Sequence, residues 1–154
     1  MGDYQRRLRE WLENNDLNWK ILRLNRRVKT VREAAHALGI DESGIVKTVI
    51  IECDHVFYAC VIRGDSSLDF SKVASILGCS PRLAKPSEVR DVTGYDVGGV
   101  PPVSLPRSVR VLVDVRVLEL DKAFAGGGDE YTLLEFNPRE LKEKVDSIIV
   151  DIAK

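Results

Sequence analysis

The chain has 154 residues, of which 44% are hydrophobic and 31% charged, and its net charge is −1. That length can bury one core, and the composition excludes a disordered or fibrous chain. The near-neutral balance excludes an overall basic nucleic-acid glove, so any RNA contact must come from a local patch.

The first fifteen residues, MGDYQRRLREWLENN, are charged throughout and hold no signal-type apolar stretch. No apolar run approaches the roughly 20 residues of a membrane span. The expected location is the cytoplasm, with no membrane partner. Three cysteines, Cys53, Cys60 and Cys79, form no short-spaced pair. They are expected to remain free thiols in a reducing compartment, with Cys60 and Cys79 as small core residues. Residues 1–32 hold nine Lys or Arg against four acids, a net of +5, which leaves −6 on the remainder. This basic segment reads either as a solvated helix and strand or as a patch for an RNA backbone.

Tyr4, Leu8, Trp11 and Leu12 recur at helical spacing, so residues 3–14 are predicted to form an amphipathic helix. Residues 19–28 partly alternate and suit a half-buried strand. Thr30 caps a short helix over 31–38 that Gly39 closes. After a turn at 41–44, IVKTVIIEC and VFYACVIRG are two β-branched strands joined at Asp54-His55, an antiparallel hairpin. Asp69 caps a helix ending at Gly78; Pro81 to Leu83 is extended; Pro86 and Ser87 open one further helical turn. Residues 93–106, TGYDVGGVPPVSLP, exclude helix and central strand. Strands follow over 109–115 and 131–136, separated by Gly126-Gly127-Gly128. Asn137-Pro138 opens a helix RELKEKV, and SIIVDIA closes the chain. Helices are short and scattered among strands, without βαβ alternation. The expected architecture is α+β: one domain over 1–154, with a mixed, curved, barrel-like sheet and peripheral short helices. Residues 1–29 supply the N-terminal basic helix and strand.

Three features can carry chemistry. Gly98-Gly99, stiffened by Pro101 and Pro102, reads as a rigid turn or as a nest of main-chain N–H groups that binds an anion. Lys47 interrupts an apolar strand; it either faces a cavity, where it can hold a phosphate, a carbonyl oxygen or a water, or points to solvent. The Ala125–Gly128 loop lines the same pocket or is a plain connection. Cys53-Asp54-His55 lacks the ligand count and spacing of a zinc site, and only two histidines, His36 and His55, exist for Ser-His-Asp chemistry.

Taken in order, VREAAHALGI, GIVKTVII, the hairpin, LDFSKVASILGC, TGYDVGGVPP, VLVD, AGGGDEYTLLEF and NPREL resemble the YbaK/ProX family of aminoacyl-tRNA editing domains. The similarity runs from about residue 30 to the C-terminus. It implies a barrel-like mixed sheet, and hydrolysis in trans of the ester joining a wrong amino acid, of Cys or Ala type, to a tRNA such as tRNA-Pro. It implies no metal and no organic cofactor, and a prolyl-tRNA synthetase as a possible partner. The characteristic lysine falls on Lys47, beside Thr48. The pocket glycines fall on Gly98 and Gly99, with Thr93, Gly94, Val100 and Pro102 in the same motif and Gly126 and Gly127 in the third loop. On this resemblance Lys47, Gly98 and Gly99 are the catalytic positions, and Thr48, Thr93, Gly94, Val100, Pro102, Gly126 and Gly127 bind substrate. The expected nucleophile is water or a thiol of the substrate. The chain departs from the family at Ala125-Gly126-Gly127-Gly128-Asp129-Glu130, where a hydroxyl is missing and basic residues are replaced by acids. The alternative is a non-catalytic module that binds a nucleotide or tRNA end.

Overall fold

The computed structural model describes residues 3–154. Helix α1 (Asp3–Asn14) turns Leu8 and Leu12 into the core. Strand β1 (Lys20–Arg23) follows; it is shorter than predicted, ending before the exposed Asn25-Arg26-Arg27 run. Helix α2 (Val31–Leu38) starts at a capping box, with Thr30 Oγ1 accepting from Glu33 N–H at 3.0 Å and Glu33 Oε1 from Thr30 N–H at 3.1 Å, and ends at left-handed Gly39.

Strands β2 (Val46–Cys53) and β3 (Val56–Arg63) form the predicted hairpin, with Asp54 and His55 both at positive φ, as a two-residue turn of type I′ requires. Helix α3 (Phe70–Leu77), capped by Asp69, leads to β4 (Arg82–Leu83). Helix α4 (Pro86–Thr93) is two turns long rather than one, because Pro86 opens it and Glu88 Oε1 accepts from Lys85 N–H at 2.9 Å. Thr93 is therefore helical, not the start of the irregular segment. Strand β5 (Val109–Asp114), β6 (Ala123–Gly126), β7 (Thr132–Phe136), the single-turn α5 (Glu140–Glu143) and β8 (Ile148–Val150) complete the chain.

Five strands form one sheet in the order β4-β2-β3-β5-β8, with β3–β5 and β5–β8 parallel and the remaining pairs antiparallel. Three form a second, antiparallel sheet, β1-β7-β6. The architecture is the expected mixed α+β fold, yet the barrel does not close. Among the described residues the backbones of the two sheets meet at one parallel bridge, between Ile45 and Phe124. The main core fills the space between them: Leu8 and Leu12 of α1, Val46, Val61 and Val113 of the large sheet, Leu134 and Phe136 of the small one. Trp19 stacks on Phe136 with ring centroids 4.6 Å apart. Buried Asp114 fastens the C-terminus, its Oδ1 accepting from the N–H groups of Ile152 and Ala153 at 2.9 and 3.0 Å.

The cysteine expectation is corrected here. Cys53 and Cys79 form a disulfide with Cα atoms 5.9 Å apart, within the normal span. They are 26 residues apart in sequence, but β4 pairs with the end of β2 and returns the chain after α3 to the same sheet edge. Only Cys60 is free; it is buried in β3, and loss of solvation pushes its thiol up to about 12.

Candidate functional site

Lys47 and Thr48 are the second and third residues of β2. That strand pairs with β3 along its whole length but with β4 only through Ile51 and Glu52. Ile50 C=O accepts from Ala84 N–H at 3.0 Å on the β4 side. By the two-residue repeat, the peptide groups of Thr48 face the same edge, at a stretch β4 does not cover.

Against this open edge lies a cavity of about 240 Å³. Its walls are the uncovered part of β2, the start of α2, the Val97–Val100 loop and the end of β6. Most of the lining is aliphatic, and no Asp, Glu, His, Ser or Cys contributes to it. The polar side chains are Lys29, Thr30, Lys47 and Thr48; Thr30 is already engaged in capping α2. Lys47 is half-buried and forms no ion pair among the described residues. The Thr48 hydroxyl is buried and has no hydrogen-bond partner, a state that costs free energy until a ligand or water supplies one.

The glycines bring three segments into contact. Gly98, at φ 87°, carries no Cβ because one would collide with the Lys29 side-chain stem and sit 2.8 Å from the Lys29 carbonyl oxygen. A Cβ on Gly126 would lie 2.8 Å from the Val100 carbonyl oxygen, and Gly128 N–H donates to Gly99 C=O at 2.9 Å. The two glycine loops are therefore joined backbone to backbone. Gly99 N–H donates to Asp96 C=O at 2.9 Å, so of the nest expected at Gly98-Gly99 the second amide is already engaged, leaving those of Gly98 and of the following Val100.

Of the sequence-derived positions, Lys47, Thr48, Gly98, Val100 and Gly126 share this cavity. Gly99 borders the adjoining groove instead. Thr93, Gly94, Pro102 and Gly127 lie outside the cavity wall. Thr93 Oγ1 donates to Val89 C=O at 2.6 Å and accepts from Tyr95 N–H at 3.0 Å, which ends α4. Gly94 packs under Arg7, Pro102 is buried, and Gly127 N–H donates to Thr132 C=O at 3.0 Å. These four shape the loops.

Sequence reasoning missed what holds the loops from outside. Buried Gln5 of α1 donates through Nε2 to Asp129 Oδ2 and to Thr132 Oγ1, each at 2.7 Å. Arg7 donates to Gly94 C=O and lies 4.2 Å from the Tyr95 ring centroid, a cation–π contact. One helix thus grips both glycine loops. Its polar faces read as solvated in the sequence, and only the tertiary contacts separate Gln5 from its neighbours.

The acidic third loop and the basic N-terminal segment, both evident in the sequence, answer each other. Arg23 lies 3.7 Å from Asp129, Arg27 3.5 Å from Glu130, and Lys20 3.8 Å from Glu135. The acidic third loop is matched by the basic N-terminal segment. Burial raises the Asp129 carboxyl, but hydrogen bonds from Thr132, Tyr131 N–H and Gln5, with the Arg23 charge, outweigh it and leave the pKa below the ordinary value. Among the described residues no three His, Cys, Asp or Glu side chains cluster as metal ligands, and no helix is long and apolar enough to cross a membrane.

Residues 25–144 match the family described as the aminoacyl-tRNA editing domain, and the chain belongs to that family. Among individual proteins it is 29% identical to the uncharacterized protein YwhH of Bacillus subtilis over 148 residues, 94% of this chain and 91% of that one. It is 36% identical to the proline–tRNA ligase of Moorella thermoacetica over 112 residues, 71% of this chain but 19% of the ligase. The chain thus spans about a fifth of the ligases it matches. Among solved structures, the hypothetical protein APE2540 superposes with a TM-score of 0.92 at 42% identity, covering 96% of this chain and 99% of that one. A candidate trans-editing enzyme for prolyl tRNA synthetase superposes with a TM-score of 0.91 at 29% identity, covering 100% and 99%.

Proposed function

We propose that the protein is a metal-independent deacylase that acts in trans in the cytoplasm, hydrolysing the ester between a wrongly attached cysteine or alanine and tRNA-Pro. The observation that carries this reading is the small aliphatic cavity with the unengaged Lys47 ammonium and Thr48 hydroxyl in its wall and, at its sill, the Lys29 ammonium, unpaired among the described residues. Its volume of about 240 Å³ lies below the roughly 300–1,000 Å³ of pockets for drug-sized ligands and suits a small aminoacyl group. Kinship with proline–tRNA ligases and with a candidate trans-editing enzyme supports tRNA-Pro as the carrier and a prolyl-tRNA synthetase as a working partner.

The cavity wall offers no side chain suited to nucleophilic attack with a paired base. In this reaction a water oxygen bonds to the ester carbonyl carbon and the carbonyl electron pair moves onto oxygen. Lys47 and the amides of Gly98 and Val100 stabilise that oxyanion. Its collapse breaks the bond to the ribose oxygen, which takes up the water's proton. Free amino acid and tRNA leave. Thr48 orients the aminoacyl group or the water.

The test is deacylation of a panel of aminoacyl-tRNAs, including Cys-tRNA-Pro, Ala-tRNA-Pro and correctly charged controls. Wild type clears one mischarged species, and Lys47→Ala lowers its rate by about 100-fold, the scale for removing one oxyanion-stabilising group. Full activity of Lys47→Ala removes the mechanism. Binding of tRNA without hydrolysis of any species replaces it with the binding-module reading.

A further inference from the structure

Beside the cavity lies a second, larger recess of about 740 Å³, bordered by Arg23, Lys29, Arg90, Asp96, Asp129 and Tyr131 among others. The two adjoin, with Lys29 and Val97 lining both. Three cations and three acids, the third being Glu130, face this groove. Arg90 pairs with Asp96 at 2.6 Å and Arg23 lies 3.7 Å from Asp129, while Glu130 is met by Arg27 at 3.5 Å. Lys29 is the exception: it is exposed and has no acidic partner among the described residues.

A groove whose arginines are already neutralised does not attract a run of phosphates. It offers one unengaged cation at the sill of the cavity, one aromatic ring, Tyr131, with the Arg23 guanidinium 5.7 Å from its centroid on one face, and ion pairs whose edges can donate and accept. That set matches one nucleotide: a phosphate at Lys29, a base against the Tyr131 ring, and the base edge toward the charged pairs. We infer that this groove is a subsite for the single nucleotide on the 5′ side of the aminoacylated adenosine, with Lys29 on the bridging phosphate and Tyr131 under the base. The inference rests on the deacylase reading and extends it: the aminoacyl group fills the cavity while the unpaired 3′ strand leaves across Lys29.

Two substrates separate the two sites. One is the mischarged tRNA; the other is the same amino acid esterified to adenosine alone, which ends at the cavity. Tyr131→Leu is expected to lower kcat/KM for the tRNA about 5- to 100-fold, the range for losing one base stack, and to lower it at least fivefold less for the adenosine ester. Lys29→Met keeps the stem that packs on Gly98 and removes the charge. It flattens the slope of log kcat/KM against log salt by about 0.7, one single-strand phosphate contact, and Lys29→Arg restores the slope. Equal losses on both substrates, or no loss on either, overturn the subsite while leaving the deacylase reading intact. If wild type hydrolyses neither substrate, the deacylase reading falls. The subsite is then judged by titrating the trinucleotide CCA against wild type and Tyr131→Leu: binding weakened by the substitution upholds it, and unchanged or undetectable binding ends it.

Discussion

Replacing Gln5 with Glu swaps an amide donor for a carboxylate at a position 2.7 Å from Asp129 Oδ2 and Thr132 Oγ1. Two unit charges about 4 Å apart repel by about 4 kcal/mol at an effective dielectric of 20, and Arg23, 3.7 Å from Asp129, offsets part of that. Taking up a proton at pH 7 instead costs a glutamate of ordinary pKa about 3.7 kcal/mol. The cheaper route, the charged one relieved by Arg23, sets the loss at about 3 kcal/mol near neutrality. Because the new acid has a raised pKa in the folded state, the deficit is smallest below its unfolded pKa and grows as pH rises through the folded one. Once protonated, it donates a single hydrogen bond where the amide gave two, leaving a deficit of about 1 kcal/mol. Thermal unfolding of wild type and Gln5→Glu at pH 5 and pH 8 measures this. A gap of roughly 6–12 °C is expected at pH 8, from about 2–4 °C per kcal/mol at this chain length, shrinking to a few degrees at pH 5. A gap equal at both values, or one below 2 °C at pH 8, refutes the claim that Gln5 clamps the third loop through Asp129.

Three further outcomes follow from the same geometry. Thr48→Val removes an unpartnered hydroxyl, so unfolding free energy holds or rises by up to about 1 kcal/mol while deacylation falls; unchanged turnover shows that the hydroxyl is not used. Gly98→Ala costs more than Gly39→Ala in thermal melts. Both sit at left-handed φ, worth about 1–2 kcal/mol, but only Gly98 has Lys29 in the way; equal losses argue against close approach as the reason for that glycine. Reduction of Cys53–Cys79, which spans 26 residues, lowers stability in urea titrations by about 3.5 kcal/mol on the loop-entropy scale, and a Cys53→Ser, Cys79→Ser protein that melts like wild type contradicts it.

The elements with strong local signals were readable. Helices α1, α2 and α3 announce themselves by apolar spacing and by caps at Thr30 and Asp69, and the β2–β3 hairpin by its β-branched runs. Strand β6 was not, because Ala-Phe-Ala-Gly has little intrinsic strand preference; it exists through pairing with β7. Pro86 announced the first turn of helix α4, but its second turn was masked, because Thr93 and Gly94 run on into the irregular Gly/Pro stretch. The disulfide depends on which sheet edge each cysteine reaches, and periodicity carries no such information. At the site, Lys47 stood out as a charge inside an apolar strand. Lys29 and Gln5 did not, since both lie in segments where polar residues are expected, and only the fold sets one at the cavity sill and the other beneath the third loop.

With one main-chain bridge between them among the described residues, Ile45 to Phe124, the two sheets are held in place mainly by side-chain packing. Because the cavity draws one wall from each sheet, its width follows the angle at which the two sheets meet. The Trp19–Phe136 pair, its ring centroids 4.6 Å apart in the core between the sheets, lies outside the cavity wall and fills space that helps fix that angle. On the proposed deacylase reading, changing its bulk is expected to shift which aminoacyl group is hydrolysed while every lining residue stays the same, which would make substrate choice a property of the core as much as of the pocket.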